Sequence, residues 1–170
     1  MTHSRIVGGS TAKRLIRCPG SRAIVDKMPP TPSSKYAAEG TRLHEAMHMI
    51  LSHGASVDDY TDNEKLISAL ALIDEIDPER QLEFVTEASV SYGDFLPGVY
   101  GSCDLIGRIR NRAIVLDHKF GDGVAVDAEE NEQLMFYAAA GMRTEELRWV
   151  FEGVDEVELV IVQQIGRAHV

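Results

Sequence analysis

The stretch "VYGSCDLIGRIRNRAIVLDHKF", residues 99–120, decides the fold. Apolar and β-branched residues dominate its two halves, while the polar triplet "RNR" lies between them. This pattern predicts two β-strands, at about residues 99–109 and 113–120, joined by a tight turn. The stretch is therefore expected to form an antiparallel hairpin at the centre of a sheet.

Periodic segments on both sides of the hairpin predict the other elements. Apolar residues at helical spacing predict helices, in chain order, over residues 11–17, 36–51, 64–76 and 128–141, and apolar runs predict strands over residues 82–93 and 157–164. Asp62 is expected to cap the third helix, and Gly54 to end the second. Three meandering antiparallel strands, then a helix and a buried last strand, indicate an α/β fold with a mixed central sheet flanked by helices.

The strand over residues 82–93 alternates apolar and polar side chains. Side chains two residues apart on a strand point to the same face. Phe84, Thr86, Ala88 and Val90 are therefore expected to share one face, opposite Val85, Glu87 and Ser89.

The composition is that of a globular protein. The chain has 170 residues, of which 44% are hydrophobic and 26% charged, which suits one compact domain. It contains no run of apolar residues long enough to span a membrane and no signal peptide at its N-terminus, so a cytoplasmic protein is expected. Two cysteines, Cys18 and Cys103, are too few for a disulfide framework or an iron–sulfur cluster, and both are expected to act as small hydrophobes.

The net charge of −10 is unevenly distributed. Residues 1–35 hold seven lysines and arginines against one acidic residue, a balance of +6, so the remaining 135 residues sum to −16. Two interpretations stay open. The basic segment could bind a phosphate backbone, or it could be a solvated segment that balances the acidic body.

Two aspartates and a lysine on the predicted hairpin carry the chemistry. Asp117 and Lys119 are two residues apart on one strand and share a face, and the hairpin can bring Asp104 beside them. Carboxylates are ligands for Mg²⁺ or Mn²⁺, and the ammonium can position a water or neutralise charge that develops on a phosphate. Asp-x-Lys alone is a weak pattern, but Asp117 ends an apolar run where an unpaired charge is costly.

Four motifs follow one another in an order that identifies a resemblance. They are His44 on a helix, "GSCD" ending at Asp104, "LDHK" with Asp117 and Lys119, and "QLMFY" from Gln133 to Tyr137. In this order they resemble the RecB-like PD-(D/E)XK nucleases. The segments "CPGS", "YAAEGTRLHE", "LDHKFGDGVAV" and "AEENEQLMFYA" more narrowly resemble a phage and prophage family of predicted exonucleases, over nearly the whole chain.

The resemblance implies a restriction-endonuclease-like core and a set of site residues. His44, Asp104 and Asp117 would ligate Mg²⁺ or Mn²⁺, helped by the backbone carbonyl of His118, and Lys119 would be the catalytic lysine. Gln133 and Tyr137 would contact DNA or brace the site. Alternatively, Gln133 could be a polar cap and Tyr137 an aromatic residue of the core. Glu39 could support His44, reach a second metal or simply be exposed. Glu87 is left outside the metal set as a salt-bridge partner or outer acid.

The implied function is a metal-dependent DNA nuclease, exonuclease-like in phage recombination or replication. Its partners would be DNA and phage recombination or replication proteins, in the cytoplasm of a bacterial host. The expected organisation is a basic helix and Pro-rich linker over residues 1–35, a nuclease core over 36–164, and a non-native tail over 165–170. The tail, "IGRAHV", is what a common sequencing adapter would encode, so the core is expected to be C-terminally truncated.

Two other classes of function remain. "HEAMH", residues 44–48, matches the H-E-x-x-H signature of zinc peptidases. The supporting context fails, because Gly54 stands where the extended signature needs a third histidine and Ser68 where the other zinc class needs an acid. A noncatalytic DNA-binding module that retains the nuclease fold is the nearer alternative, although Asp104, Asp117 and Lys119 are all present.

Overall fold

The computed structural model describes residue 4 and residues 6–29, 35–61, 63–120 and 125–163. Within these ranges lie six α-helices, four strands and three short 3-10 helices. They are α1 (Gly9–Arg17), α2 (Ser21–Val25), α3 (Lys35–His53), α4 (Asn63–Ile76), β1 (Glu83–Ser91), β2 (Tyr100–Ile109), β3 (Arg112–Lys119), α5 (Glu132–Gly141), α6 (Arg148–Phe151) and β4 (Glu156–Gln163), with the 3-10 helices at Val57–Asp59, Gly93–Phe95 and Glu145–Leu147.

The four strands form one mixed sheet in the order β1-β2-β3-β4. The pairs β1–β2 and β2–β3 are antiparallel, as expected for strands that are joined by short turns. β4 is parallel to β3, and the chain between them crosses over through α5 and α6. The expected mixed α/β architecture, including the antiparallel meander, is confirmed.

Helices cover both faces of the sheet and divide the core into two layers. In the first, side chains of α3 and α4 such as Met47 and Leu66 pack against Leu116 of β3. In the second, α1 and α5 contribute Ala12 and Leu134, which cluster with apolar residues of all four strands. Helix α1 of the basic segment is thus part of the core, because Ala12 is fully buried within it.

In both β1 and β2, the regular alternation of side chains between the two faces of the sheet is interrupted, and the two interruptions lie side by side. Phe84 packs in the α3/α4 layer, whereas Ala88, four residues on, belongs to the α1/α5 layer. On β2, Leu105 and Cys103 are likewise split between the two layers although they are two residues apart. The prediction of one continuous face for β1 is therefore wrong. The physical reason is Glu87, whose φ of +50° interrupts the extended strand.

The last strand and the start of α5 also differ from expectation. β4 is present, but it lies at the sheet edge, and only Val162 among its residues is buried. Its apolar composition predicted the strand correctly and its burial wrongly. Helix α5 begins at Glu132, because the side chain of Asn131 accepts hydrogen bonds from the backbone N–H groups of Gln133 and Leu134 and so caps the helix.

Other local expectations have mixed outcomes. Gly54 follows the end of α3 with a φ of +67°, which confirms its role as a stop. Cys103 is buried as expected, but Cys18 is exposed. The Asp62 cap, most of the Pro-rich linker and the proposed tail lie outside the described residues. In the described ranges, no helix combines the length and the apolar character that a membrane crossing requires.

Candidate metal centre

A polar cleft opens where β1 and β2 change faces. It has a volume of about 490 Å³ and lies between the start of α1, helix α3, the strand pair and α5. Charged and polar side chains from these elements and from β3 line it, among them His44, Glu87, Asp104, Asp117, Lys119, Gln133 and Tyr137. The cleft therefore brings together six of the residues that the sequence singled out, with Glu87 in addition.

Asp104 accepts hydrogen bonds from both sides of the cleft wall. Its Oδ2 atom lies 2.6 Å from the backbone nitrogen of His118 and 3.1 Å from Nδ1 of His44. The Nδ1 atom of His118 is 3.5 Å from the same oxygen. Burial opposes ionisation, but the hydrogen bonds and charges of the two histidines outweigh it and hold the pKa of Asp104 well below its usual range.

The imidazole of His44, on α3, lies beside the carboxylate of Asp104. Burial lowers the pKa of His44, but the hydrogen bond and charge of Asp104 outweigh it, with smaller effects from Asp117 and Glu87. The net result is a pKa above the ordinary value of 6.5. The imidazole is thus held beside a carboxylate that stays ionised, which is a suitable arrangement for exchanging a proton for a metal ion.

Asp117 belongs to a second network on the α5 side. Its Oδ2 atom is 2.5 Å from Nζ of Lys119, and its Oδ1 atom accepts a hydrogen bond of 2.8 Å from Nε2 of Gln133. Lys119 Nζ also donates to Oε1 of Gln133 at 3.0 Å, and Gln133 Nε2 donates to the Tyr137 hydroxyl at 3.1 Å. Gln133 thereby fixes the carboxylate and the ammonium relative to each other.

Two groups of this network have raised pKa values. Burial and the negative charge of Asp104 raise the pKa of Asp117, against the lowering effect of Lys119. Burial raises the pKa of the Tyr137 hydroxyl well above 10, so it stays protonated and can donate a hydrogen bond. Asp117 is 3% exposed, and among the described residues its Oδ2 atom has no partner with hydrogen-bond geometry despite the close Lys119 ammonium.

The two networks meet across the β2–β3 hairpin. The last ladder pair before the cleft is Leu105 with Leu116, so Asp104 and Asp117 each follow one residue beyond it. Donor atoms of His44, Asp104 and His118 lie within 4.8 Å of one another. The sequence analysis predicted that the backbone carbonyl of His118 is a metal ligand. In the structure, the imidazole of this residue faces Asp104.

Glu39 does not join the cleft. Its carboxylate instead accepts a hydrogen bond of 2.7 Å from Nζ of Lys65 on α4. The structure therefore places Glu39 with Lys65 and not with His44, and a contact with a second metal stays a prediction. The cause is local, because α4 packs beside α3 and presents a lysine to the same face.

Glu87 is the site residue that the sequence analysis set aside. It lines the cleft, and its carboxylate accepts a hydrogen bond of 3.1 Å from the Ser102 hydroxyl. Neighbouring ladder pairs on both sides put Glu87 opposite Asp104, but these two residues do not pair. The signal that could have found it is this register, since an acid facing Asp104 across a predicted hairpin must lie near the same ligands.

The two histidines of "HEAMH" have different partners. His44 contacts Asp104, whereas Nδ1 of His48 lies 2.5 Å from the Thr86 hydroxyl and its ring meets His53 edge-on. Within the described part of the chain, the candidate metal ligands include His44 but not His48. The two histidines therefore contact different partners, whereas a zinc peptidase needs both imidazoles on one metal ion.

The beginning of α1 closes one side of the cleft. Gly9 lies so close to Tyr137 that a Cβ atom there would be 2.3 Å from the ring. At its other end, Arg17 forms an ion pair of 2.5 Å with Glu132 at the start of α5. The exposed basic residues Lys13 and Arg14 lie on the same helix.

The fold and this site define a mixed α/β protein with a candidate metal centre of histidine and aspartate residues. Residues 3–79 and 70–166 match the family described as "Protein of unknown function (DUF2800)". These two matches overlap and together run from residue 3 to residue 166. The chain belongs to this family.

Proposed function

We propose that this protein is a metal-dependent DNA nuclease with a RecB-like PD-(D/E)XK core, which hydrolyses phosphodiester bonds. The observation that carries the proposal is the convergence of Asp104, Asp117 and Lys119 at one end of the β2–β3 hairpin, in a cleft that also holds His44. Phosphodiester hydrolysis needs oxygen ligands for a divalent cation and a positive charge near the scissile phosphate, and these residues supply both.

The residues present fit a divalent cation. The buried carboxylate of Asp117 and the ionised carboxylate of Asp104 both offer oxygen ligands, and the Oδ2 atom of Asp117 already lies beside the Lys119 ammonium. The N–H and C=O groups of one strand residue point to the same neighbour. Since the His118 N–H points to Asp104, its carbonyl points to this side as well, which supports its role as a further ligand.

Each residue of the site has a separate role in this proposal. His44, Asp104 and Asp117 would hold a Mg²⁺ or Mn²⁺ ion, which would supply Lewis acidity and a polarised water. Lys119 places its ammonium where it can neutralise charge on the phosphate, and Gln133 keeps it there through the 3.0 Å hydrogen bond. Tyr137 holds Gln133 through its hydroxyl, so these two residues brace the site in this proposal.

The surroundings suit a polyanionic substrate. Helix α1 starts at the cleft and carries the exposed Lys13 and Arg14, which can contact the phosphate backbone of DNA. The proposed role is exonuclease-like processing in phage recombination or replication within a bacterial cell. This role is inferred from the motif resemblance, and the polar cleft supports it physically.

The test compares linear and covalently closed circular DNA with the wild type, Lys119→Ala and Lys65→Ala, in Mg²⁺ or Mn²⁺. We expect the wild type to degrade linear DNA and Lys119→Ala to lose at least about 100-fold in rate, because a preorganised charge at the transition state is removed. Lys65→Ala is the matched control, since that lysine pairs with Glu39 away from the cleft. It should cleave as the wild type does.

Three outcomes discriminate the alternatives. Equal cleavage by wild type and Lys119→Ala would remove the proposed site. Cleavage of circular DNA would replace the exonuclease with an endonuclease. Metal-independent DNA affinity without turnover would favour a noncatalytic binding module.

A further inference from the structure

The imidazole of His118 is buried beside the metal centre on the α3 side of the sheet. The side chain is 2% exposed and stacks on the ring of Phe120, with ring centroids 5.6 Å apart. The His44 ring meets the same phenyl ring edge-on at 5.2 Å. Phe120 therefore orients both imidazoles, and Asp104 lies between their Nδ1 atoms.

Hydrogen bonding within the protein leaves His118 poorly satisfied. Its Nδ1 atom is 3.5 Å from Asp104, at the limit of a hydrogen bond, and among the described residues its Nε2 atom has no partner. Burying an imidazole in this way is unfavourable. A cation bound at Nδ1 would offset part of that cost, and it could enter from the cleft because His44 and Asp104 are partly exposed.

The separations between the Asp104 carboxylate and each of the two imidazoles suit a small divalent ion. Ligands about 2.0–2.1 Å from a tetrahedral metal are about 3.3 Å from one another. The Asp104 Oδ2 atom is 3.1 Å from His44 Nδ1 and 3.5 Å from His118 Nδ1. Each separation is within about 0.2 Å of the tetrahedral value.

We infer that His44, Asp104 and His118 together form a two-imidazole, one-carboxylate site that selects a first-row transition-metal ion over Mg²⁺. Imidazole nitrogen is a better ligand for such ions than for Mg²⁺, which prefers oxygen ligands and keeps its waters. Mn²⁺ binds nitrogen ligands most weakly of the series, so it gives the most stringent test of this preference. This inference rests on the proposed function for the location of the site. It adds the His118 side chain as a ligand and specifies the class of metal.

The experiment measures metal binding without DNA. Metal-free wild type, His118→Phe and His48→Phe are titrated with Mn²⁺ and with Mg²⁺ by calorimetry. His118→Phe keeps the stacked ring and removes the nitrogen, so its Mn²⁺ affinity should fall at least about tenfold while its weaker Mg²⁺ affinity stays unchanged. His48→Phe, which changes a histidine on the same helix as His44, should bind both ions as the wild type does.

A second measurement needs no variant. Pulsed electron paramagnetic resonance of Mn²⁺ bound to the wild type should show nitrogen couplings from two imidazoles. Couplings from one imidazole or none, wild-type Mn²⁺ affinity in folded His118→Phe, or tighter binding of Mg²⁺ than of Mn²⁺ would each overturn the inference. Mn²⁺ binding as expected without DNA cleavage would instead reject the proposed nuclease and leave the metal site standing.

Discussion

Replacing Glu87 by glycine is expected to destabilise the protein less than replacing it by alanine. Both substitutions remove the carboxylate and its hydrogen bond with Ser102, so the difference between them isolates the backbone. Glu87 has a φ of +50° in the middle of β1. A side chain with a Cβ atom is strained there, whereas glycine is not.

The magnitude follows from two opposing terms. The left-handed conformation costs a non-glycine residue about 1–2 kcal/mol. Glycine in a strand costs about 0.5–1 kcal/mol relative to alanine, because the unfolded chain is more flexible. Glu87→Gly should therefore be more stable than Glu87→Ala by up to about 1.5 kcal/mol, and by about 0.75 kcal/mol at the centre of the two ranges. The central value raises the melting temperature by about 2–3 °C in a chain of this size.

Urea unfolding of the two variants measures this difference, and Ser89 provides the control. Ser89 is exposed, lies on the same strand and has ordinary extended backbone. At that position the order should reverse, with alanine more stable than glycine by about 0.5–1 kcal/mol. If glycine is the less stable residue at both positions, the strain at Glu87 does not exist and the explanation of the face change fails.

Two further predictions concern the cleft wall and the histidine. Gly9→Ala should lower the free energy of unfolding by about 1–3 kcal/mol, because its Cβ atom would overlap the Tyr137 ring, whereas Gly20→Ala, with open space around it, should be neutral or slightly stabilising. In metal-free protein, the raised pKa of His44 predicts a stabilisation that is complete below about pH 6.5 and is lost as the pH rises through that pKa, since Asp104 stays ionised throughout. Urea unfolding at successive pH values should show this slope, and His44→Gln should abolish it.

The elements were predictable because each rests on a local pattern. The hairpin over residues 99–120 has two apolar strands and a polar turn, and the structure forms it with the turn at the expected place. Helix α3 was predictable from its apolar spacing and from Gly54. The network of Asp117, Lys119 and Gln133 was predictable from the order of the motifs. The family resemblance indicates which residues far apart in the sequence lie close together in the fold, and periodicity does not.

Strand periodicity did not predict that residues of one strand are divided between the two layers of the core. The alternation of β1 looks continuous in the sequence, yet its apolar residues Phe84 and Ala88 pack in two different layers. One residue with positive φ causes this change, and glutamate gives no local signal for such a conformation. The partner of Glu39 was equally hidden, because it depends on how α4 packs against α3.

The face change explains how a sheet covered by helices on both sides can hold a polar site. In an uninterrupted strand pair, the acids on β2 and β3 would lie among apolar residues of one layer, where burial of unpaired charge is prohibitive. Interrupting the ladder at Glu87 and Asp104 opens both layers at one point, so that Asp104 faces the histidines while Asp117 faces Lys119 and Gln133. Backbone strain at Glu87 is thus tied to the existence of the cleft. A substitution that relaxes the strand is expected to stabilise the fold and to disturb the ligand geometry together.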